Sequence, residues 1–256
     1  MSDNDQKSLD VLGVKPLADA VNTATTRSFD GASAFLSRIC LPAAEEFGLL
    51  LRDRVSAWRA SNALKITQKA EALLNSQKGS ENKHAHPRLV AQIMEQGSWI
   101  ETDELHNLWA GLLTSSCTDD GKDDSNLMFI DLLSRLSASQ ALMFEHFCEN
   151  VPLTVTRAGW LLPTAPLSID MRELQKITNV DDIHRLDREL DHLRALGLID
   201  GGSEMELKLV VASPTTLGLH MYTRCHGYIG DPKDYFGVEQ SELSQEVKVQ
   251  NRPNDQ

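Results

Sequence analysis

The feature that most constrains this chain is a run from Pro42 to about Gln77 that no proline interrupts and that keeps helical spacing throughout. Pro42 suits the first turn of a helix, and Glu45 and Glu46 follow at the positive end of the helix dipole. One apolar stripe is Phe47, Leu51, Val55, Trp58, Ile66 and Leu73, and a second is Leu50, Ala57 and Leu64. At about 100° per residue the two stripes cover more than half the circumference. A helix apolar over so much of its surface is packed from two sides, so the run predicts a spine around which other helices gather. Its remaining side carries Arg52, Arg54, Arg59, Lys65 and Lys69 against Asp53. These five cations are the candidate partner-binding surface, suited to phosphate or to an acidic protein. The rival reading is a solvated face that pairs with the acidic remainder of the same chain.

That remainder is strongly acidic. The 256-residue chain has a formal net charge of -12, and residues 1–80 hold 10 Lys/Arg against 9 Asp/Glu. The whole carboxylate excess therefore lies in residues 81–256. Such a charge repels polyphosphate, and nucleic-acid affinity is expected to be poor away from a local basic patch. Aromatic residues make up only 5% of the chain, which suits helices packed through Leu and Ala better than a β-sandwich. The length allows one large core or two modest ones. The opening "MSDNDQKSLD" is acidic and polar, unlike a secretory signal. No apolar run approaches the ~18–20 residues that span a bilayer. A cytoplasmic protein without a membrane span is expected. Cys40, Cys117, Cys148 and Cys225 are far apart, form no CxxC pair and read as reduced structural thiols.

Five segments are expected. Residues 1–41 are weakly ordered, with one or two weak helices over 16–40. Residues 42–150 form a helical core. In it, Pro87 opens a short helix and Thr102 or Asp103 caps another, with Leu105, Leu108, Trp109, Leu112 and Leu113 as its amphipathic face. Ser137 or Ser139 caps a later helix. The acidic loop "TDDGKDDSN" has the wrong spacing for a calcium site, since the twelfth residue from Asp119 is Ile130 and not Glu. Residues 151–168, with three prolines and many β-branched side chains, form an extended crossing. Residues 169–230 form a winged-helix-like unit, and residues 231–256 a disordered acidic tail. The fold class is thus mainly α: a helical array around one long helix, followed by a winged-helix-like α/β unit.

In that last unit the pattern predicts helices over 170–178 and 181–196, an apolar Leu198-Ile199, a turn at Gly201-Gly202, a strand in "EMELKLVVA" and a closing helix from about Pro214. A unit of this shape invites a DNA-reading role, but its second helix sets Asp181, Asp182, Asp187, Glu189 and Asp191 against Arg185, Arg188 and Arg194. Arg185–Glu189 and Arg188–Asp191 stand at spacings where they neutralise each other on the helix. Ile183, Leu186, Leu190, Leu193 and Leu196 occupy the core face. Packing or protein contact is the expected use of this helix, and a DNA-binding regulator is the alternative.

The sequence carries no P-loop, GxSxG, GxGxxG or kinase signature. His84 and His86 lie two apart in a loop, and His184 and His192 lie eight apart, not at zinc spacing. His106 and His146 fall within amphipathic helices, and the adjacent Cys225 and His226 cannot form a base–nucleophile dyad with each other. No catalytic residue, cofactor or metal is expected. A metal-dependent hydrolase or nuclease built from scattered His and Asp is the second alternative.

The order of segments resembles the abortive infection alpha family of bacteria. "FGLLLRDRVSAWRASNALKITQKAEALL" is similar to its long helix, "PRLVAQIMEQGSWIETDELHNLWAGLLTSS" to its most recognisable block, and "FIDLLSRLSASQALMF" to the segment that follows. "LDHLRALGLID" and "TTLGLHMYTRCHG" resemble its C-terminal unit. The resemblance covers roughly residues 40–228, while the acidic tail and proline-rich crossing depart from it. It implies a link to defence against phage by shutting down the infected cell, with no reaction or catalytic residues to carry over, and beside it a protein partner is expected. Self-association is left open.

Overall fold

The computed structural model describes residues 24–42, 56–77, 79–204 and 206–238. At its centre is a helix of thirteen residues, Asp103–Ser115, against which most of the other helices pack. In chain order the helices are α1 (Ala24–Ile39), α2 (Ser56–Ser76), α3 (Pro87–Gly97), α4 (Asp103–Ser115), α5 (Leu127–Ser134), α6 (Ala138–Asn150), α7 (Met171–Thr178), α8 (Ile183–Ala195), α9 (Thr216–Cys225) and α10 (Pro232–Tyr235). The strands are β1 (His84–Ala85), β2 (Cys117–Thr118), β3 (Leu153–Val155), β4 (Leu161–Pro163), β5 (Leu167–Asp170), β6 (Ile199–Glu204) and β7 (Leu209–Pro214). All strand pairs are antiparallel: β1 with β2, β3 with β4, and a three-stranded sheet in the order β5-β7-β6. The protein is mainly helical with small sheets, and one apolar cluster runs continuously from Phe35 to Cys225.

The centre of the array differs from the expected one. The start of the expected spine, with Phe47, Leu50, Leu51 and Val55, lies outside the described residues. In its described part, α2, Trp58 and Leu73 are exposed. The buried residues are Ala60, Asn62, Ala63, Leu64, Ile66, Thr67, Ala70 and Leu74, so Ile66 and Leu64 of the expected stripes are buried. A reading weighted by large side chains misses the part of this surface that alanine supplies. Those alanines let α2 lie close against α4, and the Thr114 hydroxyl donates to the Ala70 carbonyl at 3.2 Å.

Helix α4 is buried on nearly every side. The expected face is buried, Trp109 completely, but so are His106, Ala110, Gly111, Thr114 and Ser115. The small residues let a second layer approach from behind. Their hydroxyls are satisfied locally, Thr114 by the Ala110 carbonyl at 2.9 Å and Ser115 by that of Leu112 at 3.2 Å. Asn126 donates to the hydroxyls of Ser115 and Ser116, tying the start of α5 to the end of α4.

Local signals fix most helix starts. Ser137 caps α6 in a reciprocal box with Gln140. Asp170, Asp182 and Thr215 accept from the first turns of α7, α8 and α9. Three segments depart from expectation. Gly201 and Gly202 lie inside β6, paired with Ala212 and Val211, where a Cβ on Gly201 would overlap the Val211 carbonyl oxygen. The reversal falls between Glu204 and Leu209 instead, with Lys208 at φ 55°. The proline-rich crossing contains the β3–β4 hairpin, with Trp160 exposed near its tip. Residues 231–238, expected to belong to the tail, form α10 and pack Tyr235 and Phe236 against Tyr222. The expected tail beyond 238 and the first 23 residues lie outside the described residues.

Candidate functional site

Of the five cations of the candidate surface, three fall among the described residues. Arg52 and Arg54 lie outside them. Arg59 is largely covered: it donates to Glu95 at 2.7 Å and to the Ser98 hydroxyl at 3.0 Å, with its guanidinium 4.3 Å from the Trp99 ring. That guanidinium holds the Glu95 carboxyl below its ordinary range. Lys69 donates to the Asn107 side chain at 2.6 Å and lies 3.5 Å from Asp103. Lys65 is exposed.

Helix α8 likewise spends its charges internally. Arg185 pairs with Glu189 at 2.9 Å, as its spacing predicts. Asp191 pairs with Arg194 at 2.5 Å, and not with Arg188. Asp187 accepts from Ser203 of β6, and His192 lies 2.8 Å from Gln140 of α6.

A well-formed cleft among the described residues lies elsewhere, between α2, α4, α6 and the end of α9. This cleft has a volume of about 520 Å³. Ala72, Leu73 and Leu108 supply apolar wall, and Lys69, Asn107 and Ser76 a polar edge. Glu145, Cys225 and His226 meet within it. A smaller cavity of about 340 Å³ lies at the start of α7, where Asp170 is already occupied as a helix cap.

Within the larger cleft, Glu145 Oε1 stands 3.7 Å from His226 Nε2. His226 Nδ1 lies 2.8 Å from the Tyr222 carbonyl. A carbonyl oxygen only accepts, so Nδ1 carries the proton and the Nε2 lone pair faces Glu145. Burial, then the carboxylates of Glu149 and Glu104, push Glu145 up to about 7. Burial also lowers His226, against the pull of the Tyr222 carbonyl and Glu149. Near neutral pH Glu145 therefore keeps part of its proton beside an imidazole that burial holds neutral, because both environments disfavour the charged form. Tyr222 braces the imidazole with ring centroids 4.1 Å apart and donates its hydroxyl to Glu149 at 3.3 Å.

This arrangement can hold a proton and present two acceptors. It is poorly suited to nucleophilic attack, since burial first and Glu145 second push the Cys225 thiol far up. Burial likewise raises Cys148 and Tyr222. Cys117 is pushed up to about 12. All four cysteines are buried, and Cys117, Cys148 and Cys225 are free thiols. The other histidines that the sequence draws attention to are dispersed: His86 caps α3, His84 lies 3.2 Å from the Arg38 carbonyl, and His106 lies 2.9 Å from that of Ile100. Among the described residues no three His, Cys, Asp or Glu side chains gather as metal ligands would.

Sequence reasoning missed Glu145 and Tyr222 and set His226 aside. Two signals were present: Glu145 and Glu149 at i,i+4 in an otherwise apolar segment, and Tyr222 and His226 at the same spacing in the closing helix. Neither says that the two helices meet.

Fold and cleft together define a class: a mainly helical protein with small antiparallel sheets, whose principal cleft holds a carboxyl–imidazole pair. The chain belongs to the abortive infection alpha family, whose family model matches residues 61–210. The match includes Lys69, Asn107 and Glu145, and ends before Tyr222 and His226. No curated protein and no solved structure matches the chain. No helix among the described residues is long and apolar enough to cross a membrane.

Proposed function

We propose that this chain acts in phage defence as a non-catalytic cytoplasmic protein that works by binding a partner. The family supplies the link to abortive infection. The observation that carries the binding reading is the state of the cleft. Its thiol is held protonated by burial, so the Glu145–His226 pair has no activated nucleophile to serve. Deleting the gene should raise plating efficiency for at least one phage in a broad panel. Unchanged plating across the panel would refute the defence role.

A second reading is a DNA-binding regulator, and the topology of residues 167–214 favours it. Two helices between β5 and β6, and a sheet ordered β5-β7-β6, suit a winged-helix-like unit with α8 as its presented helix. Against this stand the carboxylates of α8 and the pairing of Arg185 and Arg194 within it. Electrostatic binding to duplex is strongest at low salt, so a gel shift at ~50 mM salt is the critical test. The non-catalytic reading expects no shift on any duplex, and a salt-sensitive shift would establish the regulator instead.

A further inference from the structure

We propose that the cleft between α2, α4, α6 and the end of α9 binds a small organic cation, an amidinium, guanidinium or primary ammonium on a short apolar body, held by Glu145 and His226. The cleft volume of about 520 Å³ falls in the range that encloses a small ligand. Ala72, Leu73 and Leu108 give the apolar body a wall to lie on. The polar end of the cleft offers acceptors: Glu145 Oε1 and His226 Nε2, 3.7 Å apart, close enough for one N–H-bearing group to bridge them.

The charges around the pair favour a cation over an anion. Glu149 lies one turn further along α6, and Glu104 faces the pair from α4. On the α9 side stand His226 and Tyr222, with Tyr235 of α10 beyond. Cys148 and Cys225 are held neutral, as are Tyr222 and Tyr235, each raised chiefly by burial. Lys69 is the one cation lining the cleft, and Asp103 and Asn107 already engage it. An incoming cation displaces the proton that the pair holds. That proton leaves to solvent, Glu145 ionises, and its charge pairs with the ligand.

The test is isothermal titration calorimetry of the full chain with three probes of one shape: benzamidine, benzamide and benzoate. Glu145 is mostly ionised at pH 8 and mostly neutral at pH 6, so benzamidine affinity should fall about tenfold between them. At pH 8 benzamidine should bind at least about tenfold tighter than benzamide, and benzoate should not bind. At pH 6, where Glu145 is mostly neutral, buffers of different ionisation enthalpy should show proton release with benzamidine alone. Glu145→Gln, checked for folding by circular dichroism, should erase the preference for benzamidine over benzamide. The proposal is overturned if benzamidine fails to bind by ~10 mM, if all three probes bind alike, or if Glu145→Gln keeps the preference. It rests on the reading that the cleft binds and does not react. Conversion of benzamidine to benzamide during incubation would overturn that reading, and a phage panel unaffected by deletion would overturn only the defence role.

Discussion

Replacing Gly111 with alanine tests the packing on which the cleft depends. Gly111 sits on the back of α4, where α9 ends. A Cβ there would overlap the Cys225 carbonyl oxygen and stand 3.0 Å from the His226 nitrogen. Both are backbone atoms, so no side-chain rotation relieves the clash and the end of α9 must move. Overpacking typically costs roughly 1–3 kcal/mol and occasionally more, and with backbone as the obstacle about 3–4 kcal/mol is expected here. The helix propensity of alanine returns about 1 kcal/mol. A net loss of about 2–3 kcal/mol is expected, or a fall of roughly 5–10 °C in Tm for a chain of this size. Gly31→Ala is the matched control: it lies in α1, exposed, with nothing within 4 Å of an added Cβ. It should stabilise by up to about 1 kcal/mol. Thermal and urea unfolding of both variants against the parent chain decide the matter. Gly111→Ala within ~0.5 kcal/mol of the parent, or both variants shifting the same way, would show that α4 and α9 do not meet as described.

Other expectations follow from single contacts. Ser137→Ala removes one half of the box at the start of α6 and should cost about 1 kcal/mol in urea unfolding, and Gln140→Ala should cost more, because Gln140 also donates to the Glu189 carbonyl and lies 2.8 Å from His192. Arg59→Ala should cost about 2 kcal/mol and red-shift tryptophan fluorescence, because it removes the bonds to Glu95 and Ser98 and the packing on Trp99. Arg59→Lys should recover less than half of that loss. Glu145 makes stability fall as pH rises: the folded carboxyl holds its proton up to about 7, the unfolded one only to its ordinary value near 4.5. The native state binds the extra proton between those limits, so stability is lost from about pH 5 to 7, by up to about 3 kcal/mol. Glu145→Gln should abolish that slope, which denaturant midpoints at pH 5, 6, 7 and 8 will read.

What the sequence made legible is what neighbours along the chain determine. A cap needs only its own first turn, so Ser137 announces a helix that the structure places where it should be. Large apolar side chains at helical spacing likewise marked the face of α4 around Trp109. Small residues were misread. Alanine at 60, 63 and 70 looks neutral in a pattern of hydrophobicity, yet it permits the closest approach and supplies part of the α2 interface. Gly201 and Gly202 look like a turn, while the structure uses Gly201 where a strand must pass beside the Val211 carbonyl. The cleft was invisible for a different reason. Glu145 and His226 lie far apart in sequence, and only the packing of α6 and α9 against α4 sets them face to face.

The carboxylate excess of residues 81–256 is handled in two ways, and the contrast bears on where function resides. On α8 Glu189 and Asp191 are each paired with an arginine about one turn away, and the carboxylates left over give the helix a net negative charge with little to offer a polyanion. Around Glu145 no such matching occurs: Glu104 and Glu149 add to its burden, and its ionic partner is an imidazole that burial keeps from charging. A buried carboxylate without a counter-ion resolves the conflict by keeping its proton. The cleft thus stores an unfavourable ionisation that a suitably shaped cation would relieve, whereas the outer face of α8 stores none. Binding energy is available where the electrostatics are unresolved, and that is the reason the proposed ligand is placed in the cleft and not on the helix whose shape first suggests a purpose.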